Sequence, residues 1–261
     1  MGLTRLLGVA LGWLVGSVLR VRRRHVELAM RRAGIAGARS AAARMYRSLG
    51  VGVFELLGLG LSPAPLSGQV ELDAVLRQLR GLSPNGAVVA TAHTGNWDLV
   101  ACAVAERTPL TVITKHLSIR WLDRLWQGLR RRRGVELVSV GAAGRAALKA
   151  VAEGRWVATL VDQAPERSRA VCEAPFLGQR ARVDLTPALL ALRARCPLIV
   201  AFPERLHDGR HSLALSAVLA PPARPTRQWA VDAMTEVTRL LDVHVRAHPE
   251  QWLWMHRRWK R

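Results

Sequence analysis

His93 and Asp98 lie five residues apart in the stretch AVVATAHTGNWDLV, residues 87–100. An imidazole titrates nearer neutrality than other side chains, so His93 can take a proton from a hydroxyl at cellular pH. A carboxylate beside it can hold one ring nitrogen protonated and leave the other free to act as base. On a regular helix this separation puts the two side chains on different faces. The turn at Thr94 and Gly95 must then bring them together, with Gly95 supplying the backbone freedom. The same residues also fit a solvated loop histidine and an aspartate favoured by the dipole of a helix start.

The elements around this pair are legible. Ala87 to Ala92 is an apolar run of small and β-branched residues, as expected of a strand buried on both faces. From Trp97 onward Leu99, Val100, Ala103 and Val104 follow a helical period. The pair therefore stands where a strand gives way to a helix, which in an open α/β sheet is where sites form. Downstream, strands are expected at Leu110–Thr114, Val135–Val140, Trp156–Val161 and Pro197–Pro203. Helices are expected at Trp121–Arg132, Ala143–Glu153, Thr186–Arg195 and Thr226–Ala247. Thr186-Pro187 reads as an N-cap followed by proline at the first helical position. Asp208-Gly209 reads as a hairpin turn, with an antiparallel edge pair ending near Leu219. Upstream, residues 25–61 and Val70–Leu79 read as helical, and Ser83–Gly86 as a turn. The fold class is α/β: a largely parallel sheet flanked by helices, with an N-terminal membrane-associated helix.

HTGNWDL resembles the histidine and acidic-residue motif of the lysophospholipid acyltransferase superfamily, in particular the bacterial lipid A late acyltransferase branch with its typical HxGNWE. The C-terminal QWLWMHRRWK, residues 251–260, is similar to that branch's closing segment. So is the region from Val161 to Pro187, with its acidic residue, PFLG and threonine ahead of a helix. Asp98 stands where the branch usually carries Glu, as it does in relatives acting on glycerolipids or glycosylated phosphoinositides.

The resemblance implies transfer of a fatty acyl group from acyl carrier protein or acyl-CoA to a lipid hydroxyl, with His93 as base and Asp98 orienting it. It implies a substrate-contacting role for Gly95, Asn96, Trp97, Lys115, Arg120, Gln163, Arg257 and Arg258, and for Asp162 either contact with the acceptor or support of the active site. Asp162 is preferred to Glu166, because a strand end holds a side chain more firmly than a proline-containing loop. The tetrahedral oxyanion needs donors, for which N–H groups near Gly95 or a basic side chain are candidates. No serine sits in a G-x-S-x-G elbow, which argues against a serine lipase. Beyond the thioester donor no cofactor is expected. The expected location is the inner membrane with the site facing the cytoplasm. Two other readings use the same residues: a thioesterase with His93 acting on water, and a non-catalytic basic protein of the membrane surface.

Composition agrees with these partners. Thirty-nine basic residues stand against nineteen acidic ones, a net charge of +20, and only Lys115, Lys149 and Lys260 are lysines. Such a charge suits an anionic membrane surface or an acidic carrier, and no nucleic-acid fold motif accompanies it. Cys102, Cys172 and Cys196 are widely spaced and odd in number, so they form neither a disulfide framework nor a zinc signature. His207 with His211, and His244 with His248, have the spacing of metal pairs but neither has a nearby cysteine or carboxylate triad, so no metal is expected.

Leu6 to Leu19 carries no formal charge and would make a helix about 21 Å long, short of the roughly 30 Å hydrocarbon core. Val15-Gly16-Ser17 is a passable cleavage site, but Arg20, Arg22, Arg23 and Arg24 follow at once and oppose export. Residues 1–24 are thus expected to be a retained anchor with a basic flank, and residues 25–261 the acyltransferase domain. Arg130 to Arg133 reads as a solvated or membrane-facing run. The C-terminal Trp252, Trp254 and Trp259 with His256 suit a headgroup layer, or else pack a terminal strand onto the sheet.

Overall fold

The computed structural model describes residues 2–82, 86–165 and 170–259. Helix α1 (Leu3–Trp13) runs on through a wider turn at Leu14–Val18, and α2 (Arg23–Arg32) and the long α3 (Ala38–Leu61) follow. Gly8, Gly12 and Gly16 recur every fourth residue and let α1 lie against α3. A Cβ on Gly12 would stand 2.2 Å from the Tyr46 carbonyl oxygen, and one on Gly50 2.2 Å from that of Gly8. Small residues at this spacing allow helix backbones to touch. Leu3, Leu6, Leu7 and Trp13 stay exposed. Among the described residues no single helix is long and apolar enough to cross a membrane. Leu3–Val18 and Arg23–Arg32, bent by 88°, meet that test only as a pair.

The rest alternates strand and helix: β1 (Val70–Glu71), α4 (Asp73–Leu79), β2 (Ala87–Thr91), α5 (Trp97–Ala105), β3 (Leu110–Thr114), α6 (Arg120–Arg132), β4 (Glu136–Ser139), α7 (Ala143–Ala152) and β5 (Trp156–Leu160). A hairpin of β6 (Val171–Phe176) and β7 (Gln179–Asp184) intervenes before α8 (Thr186–Ala194), β8 (Leu198–Arg205), β9 (His211–Leu219) and α9 (Arg227–Ala247). The main sheet has the order β1-β9-β8-β2-β5-β3-β4. Strands β8, β2, β5, β3 and β4 run parallel, while β9 and β1 run against them. Helices cover both faces. Alternate residues of β2 show why its sequence is uniformly apolar: Val88 and Ala90 pack with Ala147, Leu190 and Val237 from α7, α8 and α9, whereas Val89 packs with Leu76 and Leu99 from α4 and α5.

Several expectations change. Val70–Leu79 is not one helix: two residues pair with β9 before α4 begins. Strand β9 is therefore not the edge, since β1 covers it. The β6–β7 hairpin was not foreseen, and the PFLG sequence forms its turn, with φ of 51° at Leu177 and 76° at Gly178. Asp184, not Thr186, serves the start of α8, its Oδ1 accepting from the Thr186 amide at 2.8 Å. Residues 83–85 of the expected turn and Glu166 lie outside the described residues.

Candidate active site

The site follows from strand register. β2 and β5 are paired through Thr91 and Leu160, and the Val161 amide donates to the Thr91 carbonyl at 2.9 Å. Two residues past that pair, His93 and Asp162 meet, His93 Nδ1–H donating to Asp162 Oδ1 at 2.9 Å. Trp252 Nε1–H and His256 Nε2–H donate to Oδ2 at 3.0 and 3.1 Å. Asp162 is wholly buried. Burial alone would raise its pKa, but the charge of His93 and the hydrogen bonds of His256 and His93 outweigh this and hold it well below the usual carboxylate range. Burial likewise pulls the His93 pKa down. The charge and hydrogen bond of Asp162, with the charge of Asp98 behind them, prevail, and the net shift is upward. With Nδ1 committed, Nε2 is the nitrogen free to take a proton. The Trp97 ring packs edge-on against the imidazole at 4.9 Å.

The turn after β2 is held from the far end of the chain. Gly95 has φ +53°, and a Cβ there would sit 2.9 Å from the Pro203 carbonyl oxygen. The Gly95 amide donates to Gln251 O, and the Leu253 amide to His93 O, both at 3.0 Å, on either side of a Thr94–Trp252 bridge. Thr94 Oγ1–H donates to Pro203 O at 2.7 Å. The Gly95 N–H is thus taken by the chain itself. Asn96 caps α5: its Oδ1 accepts from the Leu99 amide at 3.2 Å and its Nδ2 donates to Glu55 Oε2 at 2.9 Å. Glu55 also binds Arg205 through both oxygens and His211 Nε2 at 3.2 Å. Burial opposes ionisation of Glu55, but the hydrogen bonds of His211 and Arg205 bring its pKa down to about 2.

Asp98 does not hold His93. As the second residue of α5 it turns inward, where Arg130 of α6 meets it, Nε donating to Oδ1 at 2.7 Å. Arg130 Nη1 donates to Thr114 Oγ1 at 3.2 Å and Gln127 Oε1 at 3.1 Å. Arg130 is buried and the Arg133 side chain is largely covered and pairs with Glu106, so of the run expected to be solvated only Arg131 and Arg132 are exposed. The Asp98–Arg130 pair and Trp97 line an apolar cavity of about 70 Å³ whose remaining walls include Val89, Val100, Val112 and Ala158.

The partly exposed His93 packs against Trp97 of the cavity wall. The chain as a whole matches the family model of bacterial lipid A biosynthesis acyltransferases over residues 5–261. The chain belongs to that family. Membership makes it an acyltransferase with lipid substrates, requiring an acyl donor and a lipid acceptor. No curated protein matches it.

Within this lipid A family acyltransferase the other expected contacts are dispersed. Lys115, Arg120 and Gln163 are exposed and stand outside the cavity lining. Nearby, Asp123 orders the loop after β3, accepting from His116 Nδ1 at 2.7 Å and the Leu117 amide at 3.0 Å. Arg257 is exposed, and Arg258 is buried against the Phe176 ring. Trp252 and Trp254 are interior, not interfacial. His256 and Trp252, both in the closing motif, are the partners of Asp162 that sequence reasoning missed. Their chemistry was visible, but their distance along the chain hid their target. His244 and His248 do have a carboxylate near them, because β8 brings Glu204 beside them, with ligand atoms within 4.8 Å of one another. Zinc bonds of about 2.0–2.1 Å set donors roughly 3.3 Å apart. His248 Nε2 and Glu204 Oε2 stand at 3.8 Å, which is the spacing of a loose ion pair joining α9 to β8.

Proposed function

We propose that the protein transfers a fatty acyl group from an acyl carrier protein or coenzyme A thioester to a hydroxyl of a lipid acceptor, with His93 as general base. The observation that carries this is the His93 Nδ1–Asp162 Oδ1 hydrogen bond at 2.9 Å, which leaves Nε2 as the basic nitrogen. Nε2 removes the hydroxyl proton as the oxygen attacks the thioester carbonyl carbon. Asp162 stabilises the imidazolium. The tetrahedral intermediate then expels the thiolate, which takes the proton back from Nε2 as the C–S bond breaks. Asp98 adds negative charge at longer range while its own hydrogen bonds keep Arg130 in the wall of the cavity. That cavity suits the acyl tail because its walls are almost entirely apolar. Cys102 is no competing nucleophile: burial, then the charge of Asp98, pushes its thiol up to about 12.

The protein works at a membrane, in this reading, through α1. Its glycine stripe faces α3, while exposed Leu3, Leu6, Leu7 and Trp13 offer an apolar surface beside the exposed Arg20 and Arg24. The site then faces the cytoplasm, where both candidate donors are made, and the acceptor is a lipid A precursor or a related glycolipid or phospholipid.

The test uses detergent-purified protein, each thioester in turn, and a total lipid extract, with His93→Ala alongside. A lipid heavier by one acyl group, absent with the variant, supports transfer and names the acceptor. Thioester loss without such a lipid supports hydrolysis instead.

A further inference from the structure

A second cavity, of about 210 Å³, lies between α2, the start of β7 and the C-terminal segment, and the reaction described above does not use it. Its polar lining is His25, Arg32, Gln179, Arg257, Arg258 and Trp259, with no acidic residue among the lining residues. Three buried donors of these residues lack an acceptor: Gln179 Nε2, Arg258 Nε and Trp259 Nε1. Arg258 is 2% exposed, and its Nη1 donates to a neutral group, the Arg182 carbonyl, at 2.6 Å. His25 gives its Nε2–H to the His256 carbonyl at 3.2 Å, so it brings no acceptor to the cavity through that nitrogen.

A buried guanidinium keeps its charge at a cost unless an anion meets it. Here burial brings the Arg258 pKa down to about 10, against the opposing pull of Asp162. The room is far more than the single water that about 10–15 Å³ would admit. A guanidinium fork, an amide N–H and an indole N–H are donors suited to the several oxygens of a phosphate.

We propose that this cavity binds a phosphate monoester or free phosphate, with Arg258 as the buried anchor and Arg32 and Arg257 closing over it from the surface. It stands apart from the acyl-transfer reading and holds whether or not His93 moves an acyl group. The same chemistry has two sources, inorganic phosphate or a phosphomonoester lipid headgroup.

The experiment is calorimetric titration of the full chain in detergent with inorganic phosphate. It is joined by flotation with phosphatidylcholine vesicles containing phosphatidate or, at matched surface charge, phosphatidylglycerol. The exposed residues are the ones to change, Arg32→Gln and Arg257→Gln, because Arg258→Gln risks the fold. Saturable phosphate binding, weakened about tenfold or more by both variants and retained in His93→Ala, supports a site for free phosphate. Preference for phosphatidate over phosphatidylglycerol, abolished by the same variants, supports a headgroup as the source. Phosphate binding indifferent to both variants overturns the proposal. So does the absence of both saturable phosphate binding and a phosphatidate preference.

Discussion

His93 and Asp162 are 69 residues apart in the chain and 2.9 Å apart in space. In-register parallel pairing of β2 with β5 accounts for the meeting, since each residue lies two positions past the paired Thr91 and Leu160. Neither hydrogen-bonded partner in this couple sits on a flexible arm. The imidazole is further fixed by Trp97, and the carboxylate by Trp252 and His256.

The first consequence is a pH dependence. The His93 pKa lies above its ordinary 6.5 because the attraction of Asp162 outweighs burial. The base works only when neutral, so acyl transfer should rise with pH along an acid limb centred above 6.5. Linkage has the opposite sign: the imidazolium's contribution to stability is full below pH 6.5 and is lost as pH rises through the folded value. An NMR titration of His93 checks both. In Asp162→Asn the midpoint should fall, because burial remains and its counter-charge is gone.

The Asp98–Arg130 pair should matter chiefly to the fold. Asp98→Asn leaves a buried guanidinium without its anion, a change that costs roughly 3–5 kcal/mol. Replacing both residues with apolar ones of similar volume, Asp98→Leu with Arg130→Met, should recover most of that. Urea denaturation of the two variants measures the difference.

Glu55 gives an acid-side prediction. Its pKa falls from 4.5 to about 2, so its contribution is present above pH 4.5 and is lost as pH drops through about 2. That contribution is on the order of 3 kcal/mol at most. Glu55→Gln should flatten the fall in stability between pH 5 and 2, roughly the window of that shift, as read from denaturation midpoints.

Gly12 should be intolerant of a side chain. Its Cβ would meet the Tyr46 carbonyl oxygen at 2.2 Å. Gly12→Val should separate α1 from α3, an overpacking cost of about 1–3 kcal/mol or more. Limited proteolysis should then cut within residues 14–24 sooner than in the parent protein.

Much of this was readable along the chain, and the rest was not for a physical reason. The uniform apolarity of β2, the helical period after Trp97 and the Asp208-Gly209 turn are local signals, and each element stands where they put it. Asp98 drew attention because it is near His93 in sequence. The carboxylate that meets His93 is set by strand pairing, which no local pattern reports. The Gly8, Gly12 and Gly16 stripe was in plain sight but silent to a search for apolar periods. Arg130 looked like one of four surface arginines until α6 turned it inward to Asp98. Glu55 belongs to an ordinary helical stretch, and only its tertiary partners make it a hub.

The most direct test of the central claim is the single-turnover rate of acyl transfer in Asp162→Asn, measured beside the parent protein and Asp98→Asn at matched folded concentration. If Asp162 holds the base, the asparagine variant should stay folded, bind thioester and transfer about 10³–10⁴ times more slowly, as when a buried carboxylate is lost from a histidine base. A rate for folded Asp162→Asn within about tenfold of the parent, which is only ~1.4 kcal/mol of barrier, would contradict the account and return the orienting role to another carboxylate.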